Sequence, residues 1–104
     1  MTAAEIPIMA AYVRFYRMTA RGGEGAALRS ALEALAGTVQ QIEGCTGTEL
    51  LEYADKPGQF VFLERWVSAD AHKAGGKLLG KDVFGPVMAA LDGPPDAAAL
   101  TPLD

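Results

Sequence analysis

The chain has 104 residues, half of them hydrophobic, with a formal net charge of -4, one cysteine and one histidine. That length suits one domain rather than two, and roughly two-thirds of the unfolded surface can be buried in a domain of this size. The acidic balance without a basic stripe argues against a nucleic-acid partner, no apolar run nears the roughly 20 residues of a membrane span, and one Cys with one His supply neither an internal disulfide nor, alone, a zinc site.

The high hydrophobic fraction has two readings, a rich alanine count or apolar surface hidden in an oligomer interface. Met1 to Pro7 carries Glu5 and no Lys or Arg, unlike a signal peptide, and Cys45 as the only cysteine fits a cytoplasmic protein. A single domain over residues 1–104 is expected, with 1–8 a loose lead-in and 94–104 a tail or short strand.

Met9 to Met18 reads as the first strand, with Ala11, Val13, Phe15 and Arg17 on its plainer core face and Tyr12, Arg14, Tyr16 and Met18 on an aromatic, amphipathic one. Arg21-Gly22-Gly23 breaks it. A helix from about Glu24 to Ile42 follows, because Leu28, Leu32, Leu35, Val39 and Ile42 recur at spacings of 4, 3, 4 and 3. Gly44 suits its stop. Thr46 to Tyr53 is the second strand, and Asp55-Lys56-Pro57-Gly58 has the turn chemistry of a hairpin. Gln59 to Val67, with four apolar residues in a row, reads as a central strand buried on both faces. Ser68 caps a short helix that Gly75-Gly76 interrupts. Phe84, Val87, Met88 and Leu91 mark a further helix, which Pro86 makes begin near Val83 to Gly85 or bend there. Gly93-Pro94-Pro95 ends it, and Ala97 to Leu100 is a candidate fourth strand.

This order predicts an α+β fold: a split β-α-β antiparallel sheet, ferredoxin-like, with the helices on one face. The other face carries apolar residues too, and a second copy of the chain is the simplest cover for it, making a homodimer.

Glu64-Arg65-Trp66, followed by Ser68-Ala69-Asp70-Ala71-His72, resembles the signature E-x-W-x-s-x-x-A-h of the antibiotic biosynthesis monooxygenase family, and Ile42-Glu43-Gly44-Cys45 is similar to that family's helix exit. The match runs from about Val13 to Leu91. It implies a dimeric α+β barrel, and its catalytic members oxidise quinols, anthrones or similar phenolic rings with O2 and no metal or flavin. Haem-degrading relatives use an Asn in the first strand with a Trp and a His in the last helical region. This chain has no Asn, and neither His nor Trp occurs around Phe84 to Leu91, which argues against haem degradation. Phenol-oxidising relatives often carry a polar residue four before the signature Trp, where this chain has Phe62. The segment Lys73 to Gly80 is Gly-rich and could reshape a pocket rim.

Two functions follow from this reading. One is a cofactor-independent monooxygenase acting on a quinol or polycyclic phenol; the other is a non-catalytic dimeric protein of the same fold that binds a small aromatic ligand. A third, a purely structural dimer domain, requires a filled interior. For the oxygenase, His72 is the candidate base, since an imidazole titrates near the pH at which a phenolic proton must be taken. Its alternative is a helix-surface or packing residue. Arg14, beside Tyr12 and Tyr16, is a candidate for holding a phenolate or peroxide anion, or else an interface ion pair with Glu49, Glu52 or Glu64. Trp66 could line a pocket and donate its N–H to a substrate oxygen, or be core at a strand end. Phe62, Phe84 and Met88 fit pocket walls. Glu64 serves as a base only if burial raises its pKa, and otherwise pairs with a cation. Cys45 has no activating neighbour and reads as an inert thiol.

Overall fold

In a computed structural model of the protein, which describes residues 11–103, the chain runs through β1 (Tyr12–Thr19), α1 (Gly25–Val39), β2 (Cys45–Glu52), β3 (Gln59–Trp66), α2 (Ala69–Gly76), α3 (Lys81–Ala90) and β4 (Asp96–Leu100). The lead-in expected at residues 1–8, and the start of the strand expected from Met9, lie outside the described residues. One antiparallel sheet holds the strands in the order β2-β3-β1-β4. This is the expected ferredoxin-like α+β arrangement, with β3 in the interior of the sheet and β4 at the edge beside β1.

The stripe of α1 explains where the core sits. Leu28, Leu32, Leu35 and Val39 are at most 4% exposed, each worth about 1.5–3 kcal/mol of burial. They pack with Met18 of β1 and with Phe60, Phe62 and Trp66 of β3, and α3 closes the same cluster with Val87 and Ala90. Ile42 falls past the end of the helix and is half-buried.

The register decides which strand face meets the helices. Tyr12 pairs with Trp66, Tyr16 with Phe62 and Met18 with Phe60, so the aromatic face of β1 is the one turned to the core. This corrects the expectation that Val13, Phe15 and Arg17 form the core face. Both faces of β1 offer apolar residues. The partner strand breaks the tie, because Phe60, Phe62 and Trp66 put three large aromatics on one face, the larger area to remove from water. Arg14 is tolerated on that face because the hydroxyls of Tyr12 and Tyr16 take its N–H groups at the rim. The strand is also not buried on both sides within one chain: Phe60, Phe62, Glu64 and Trp66 are buried, whereas Val61 and Leu63 are only half-buried.

Two glycines are set by close approach. Gly44 has φ +91°, and a Cβ there would lie 2.7 Å from the Cβ of Ala71. Its carbonyl accepts from the Val67 N–H at 2.9 Å, which ties the exit of α1 to the end of β3. The Ser68 hydroxyl oxygen accepts from the Ala71 N–H at 3.0 Å, the expected cap of α2. As expected, α2 is short and ends at the Gly75-Gly76 pair, with both glycines still helical. A Cβ on Gly75 would stand 2.8 Å from Cη2 of Trp66 and 2.9 Å from Cγ2 of Ile42, so this glycine lets the helix lie on the tryptophan. Helix α3 begins at Lys81, ahead of the expected start, with Pro86 inside it. Pro86 forfeits one bond to the Asp82 carbonyl, and both residues are exposed, so water can take the freed acceptor.

Candidate active site

Side chains from β1, β3, α2 and α3 line a cavity of about 180 Å³ between the sheet and the two short helices. Its walls are apolar, with Met18, Leu35, Phe62, Val87 and Leu91 among them. The exceptions, Tyr16, Glu64 and His72, converge on one another. Two larger hollows, of about 440 Å³ along α1 and β2 and about 550 Å³ around Arg21 to Ala26, are open grooves away from this cluster. The smaller cavity is the better candidate because it alone among them joins apolar walls to convergent proton-bearing groups.

Glu64 is only 6% exposed. Its Oε1 accepts from the Trp66 Nε1–H at 3.0 Å and lies 3.9 Å from His72 Nε2. The Tyr16 hydroxyl stands 3.5 Å from the same imidazole nitrogen. Arg14 donates through Nε to the Tyr16 hydroxyl oxygen at 3.3 Å and through Nη1 to that of Tyr12 at 3.5 Å. The imidazole is held between two rings, with centroids 5.6 Å from Tyr12 and 5.5 Å from Trp66, the latter edge-on.

Burial sets the protonation states. Desolvation, with Arg14 adding to it, lowers the His72 pKa below its ordinary value, so the ring is neutral near pH 7 and able to accept a proton. Desolvation raises the Glu64 pKa, against the Trp66 N–H and Arg14, which favour the carboxylate. Tyr16 is likewise raised by burial, with the Arg14 hydrogen bond opposing it. Burial also pushes the Cys45 thiol up, away from a reactive thiolate.

Of the residues singled out from the sequence, Tyr16, Phe62, Trp66, His72, Phe84 and Met88 line the cavity. Tyr12 and Arg14 do not: Tyr12 packs on the imidazole, and Arg14 reaches the cavity only through the Tyr16 hydroxyl, with no ion pair among the described residues to Glu49, Glu52 or Glu64. The Trp66 N–H donates to Glu64 and the ring is 2% exposed, which favours its reading as core at the strand end over that of a donor to a ligand. Phe84 and Met88 are 39% and 56% exposed, so they form a wall that is open to solvent on one side. Met18 was missed as a lining residue, and Glu64 was read only as a base or an ion-pair partner. The alternation Phe60, Phe62, Glu64, Trp66 along β3 is the signal that places Glu64 between two aromatics on the cavity face. Among the described residues, no three His, Cys, Asp or Glu side chains gather as metal ligands, and no helix is long and apolar enough to cross a membrane.

The family model for antibiotic biosynthesis monooxygenase matches residues 11–74, from β1 into α2. No curated protein matches the chain. Among solved structures, the chain is similar to Rv0793 from Mycobacterium tuberculosis, with 27% identity, TM-score 0.78, and 91% of this chain and 97% of that one covered. It is similar in fold to a mutant of SnoaB, a cofactor-independent oxygenase from Streptomyces nogalater, with 22% identity, TM-score 0.79, and 91% and 96% covered. PA3566 from Pseudomonas aeruginosa shares 20% identity at TM-score 0.80, with 95% and 100% covered. With more than half of its length matched by that model, the chain belongs to the antibiotic biosynthesis monooxygenase family.

Proposed function

We propose that the protein is a monooxygenase that oxidises a small quinol or related hydroxyarene with O2 and no cofactor. The observation that carries the reading is the His72 imidazole, its Nε2 3.5 Å from the Tyr16 hydroxyl, at the polar end of an otherwise apolar cavity. A ring hydroxyl placed there gives its proton to His72 Nε2, and the resulting phenolate is electron-rich enough to reduce O2. One oxygen atom enters the ring, and the other leaves as water with the two hydrogens the quinol loses. The Tyr16 hydroxyl, polarised by Arg14, is placed to hold the phenolate oxygen. The likeness to SnoaB, a cofactor-independent oxygenase, supports the same chemistry.

The volume bears on the ligand. A cavity of about 150 Å³ holds one benzene ring, so about 180 Å³ suits one or two fused rings better than a longer polycycle. An unfilled interior also counts against a purely structural domain. The uncovered sheet face carries Phe15, Val61, Leu63, Leu51 and Leu100, with the last two 46% and 45% exposed, and we assign it to a second copy of the chain.

The test is O2 uptake by metal-free protein with a panel of one- and two-ring quinols, beside a His72→Ala control. Uptake well above autoxidation, cut by at least about 100-fold in the variant, is expected. If a quinol binds in the cavity by calorimetry and no uptake exceeds autoxidation, the protein is a binder and the oxygenase reading fails.

A further inference from the structure

The chemistry above leaves Glu64 without a task, although it is the most deeply buried charged side chain described. A buried carboxyl is costly, and the Trp66 N–H needs only an acceptor, which an amide would provide. Something must favour the acid. His72 has to become a cation when it takes a proton, and its surroundings otherwise resist that. β1 offers it Tyr12, Tyr16 and the cation of Arg14; β2 offers the Cys45 thiol; α3 turns only the apolar Phe84, Val87 and Met88 towards the cavity; on α2 itself, Asp70 and Lys73 are exposed. Among the described residues only β3 supplies an anion, with Glu64 Oε1 at 3.9 Å from Nε2 and fixed in place by Trp66.

We propose that Glu64 is a positioning residue acting through His72: its carboxylate is the counter-ion of the imidazolium formed when His72 takes the ligand's hydroxyl proton. The ligand O–H bond breaks, an N–H bond forms on Nε2, no electron moves, and the Glu64–His72 pair ends neutral. The inference rests on the reading of His72 as the base, but its test does not need turnover. His72 is the chain's only histidine and so gives a single imidazole Cε1–H signal by NMR.

The experiment titrates that signal in the wild-type protein and in Glu64→Gln, which keeps an oxygen for Trp66 and removes the charge. An opposite charge within about 4–6 Å moves a pKa by about 1–3 pH units. The His72 titration should therefore move down by about one unit or more in the variant, a proton affinity about tenfold weaker. An unchanged His72 titration overturns the proposal, since a purely structural glutamate would leave it in place. A second measurement needs no variant: the Glu64 carboxyl carbon of the wild type must be ionised where His72 titrates. A Glu64 carboxyl that stays protonated across that range also overturns it. If quinol oxidation is found, kcat in Glu64→Gln falls about tenfold with KM little changed. If it is not, the titrations still decide this point.

Discussion

Adjacent glycines in α2 should respond to alanine with opposite signs. At Gly76 nothing lies within 4 Å of a new Cβ, and replacing a helical glycine there is worth about 0.5–1 kcal/mol. At Gly75 the same helical gain meets Trp66 Cη2 at 2.8 Å, Trp66 Cζ3 at 3.0 Å and Ile42 Cγ2 at 2.9 Å. Trp66 is 2% exposed and its N–H is bonded, so the ring cannot swing aside as a flexible tip would. Overpacking of this kind costs about 1–3 kcal/mol, which leaves a net loss of about 1 kcal/mol. The two variants should then differ by about 2 kcal/mol, or on the order of 10 °C in Tm for a domain of this length. Thermal unfolding followed by circular dichroism reads that difference. Emission from Trp66, the only tryptophan, should change in Gly75→Ala and stay in Gly76→Ala. A Gly75→Ala protein at least as stable as Gly76→Ala would refute the claim that Gly75 is there for contact with Trp66.

Four further outcomes follow. Because burial and Arg14 lower the His72 pKa, the acid limb of kcat/KM should fall below the ordinary value of 6.5; a limb at or above 6.5 would contradict the assignment. Stability carries the same sign, since the unfolded chain takes the proton first: the contribution is whole above about 6.5 and is lost as pH falls through the lowered pKa, which Tm against pH will show. Arg14→Met, which removes a cation that touches no ligand, should lower kcat by about tenfold and leave ligand affinity by calorimetry nearly unchanged. Val61→Glu puts a charge on the open sheet face and should convert a dimer into a monomer by analytical ultracentrifugation; a wild-type monomer would refute the second copy.

The elements were legible because their signals are local. The 4-3-4-3 stripe of α1 reports one buried face, and Asp55 to Gly58 makes a hairpin wherever it stands. The faces of β1 were not legible, because Val13 and Phe15 are as plausible a core as Tyr16 and Met18 until the register with Phe60 and Phe62 is known. The end of α2 at Gly75-Gly76 was legible, but the contact of Gly75 with a tryptophan nine residues earlier was not. At the site, residue type found His72, Trp66 and Tyr16, each of which can carry a proton or fill a wall. It misplaced Arg14, because the sequence puts it on the right face and cannot show that two tyrosine hydroxyls stop its guanidinium short of the cavity.

The geometry also separates chemistry from ligand choice. Tyr16, Glu64 and Trp66 stand on paired interior strands, and His72 on the capped helix against them, so the proton-bearing end is held rigidly. The far wall is α3, whose Phe84 and Met88 face both cavity and solvent. Met88→Ala should therefore widen the cavity at little cost in stability, since a half-exposed side chain loses far less than the roughly 2–5 kcal/mol of a buried methionine. A third fused ring adds four CH groups, worth up to about 3 kcal/mol of burial at about 0.8 kcal/mol each. If half of that is realised in the widened cavity, the affinity ratio of a three-ring to a two-ring phenol rises about tenfold. The His72 titration should not move, because Met88 takes no part in the hydrogen bonds or ion pair of the Arg14–Tyr16–His72–Glu64 chain. An unchanged affinity ratio, or a shifted His72, would mean that α3 and the proton-bearing end are one unit, and ligand size could not then vary without disturbing the base.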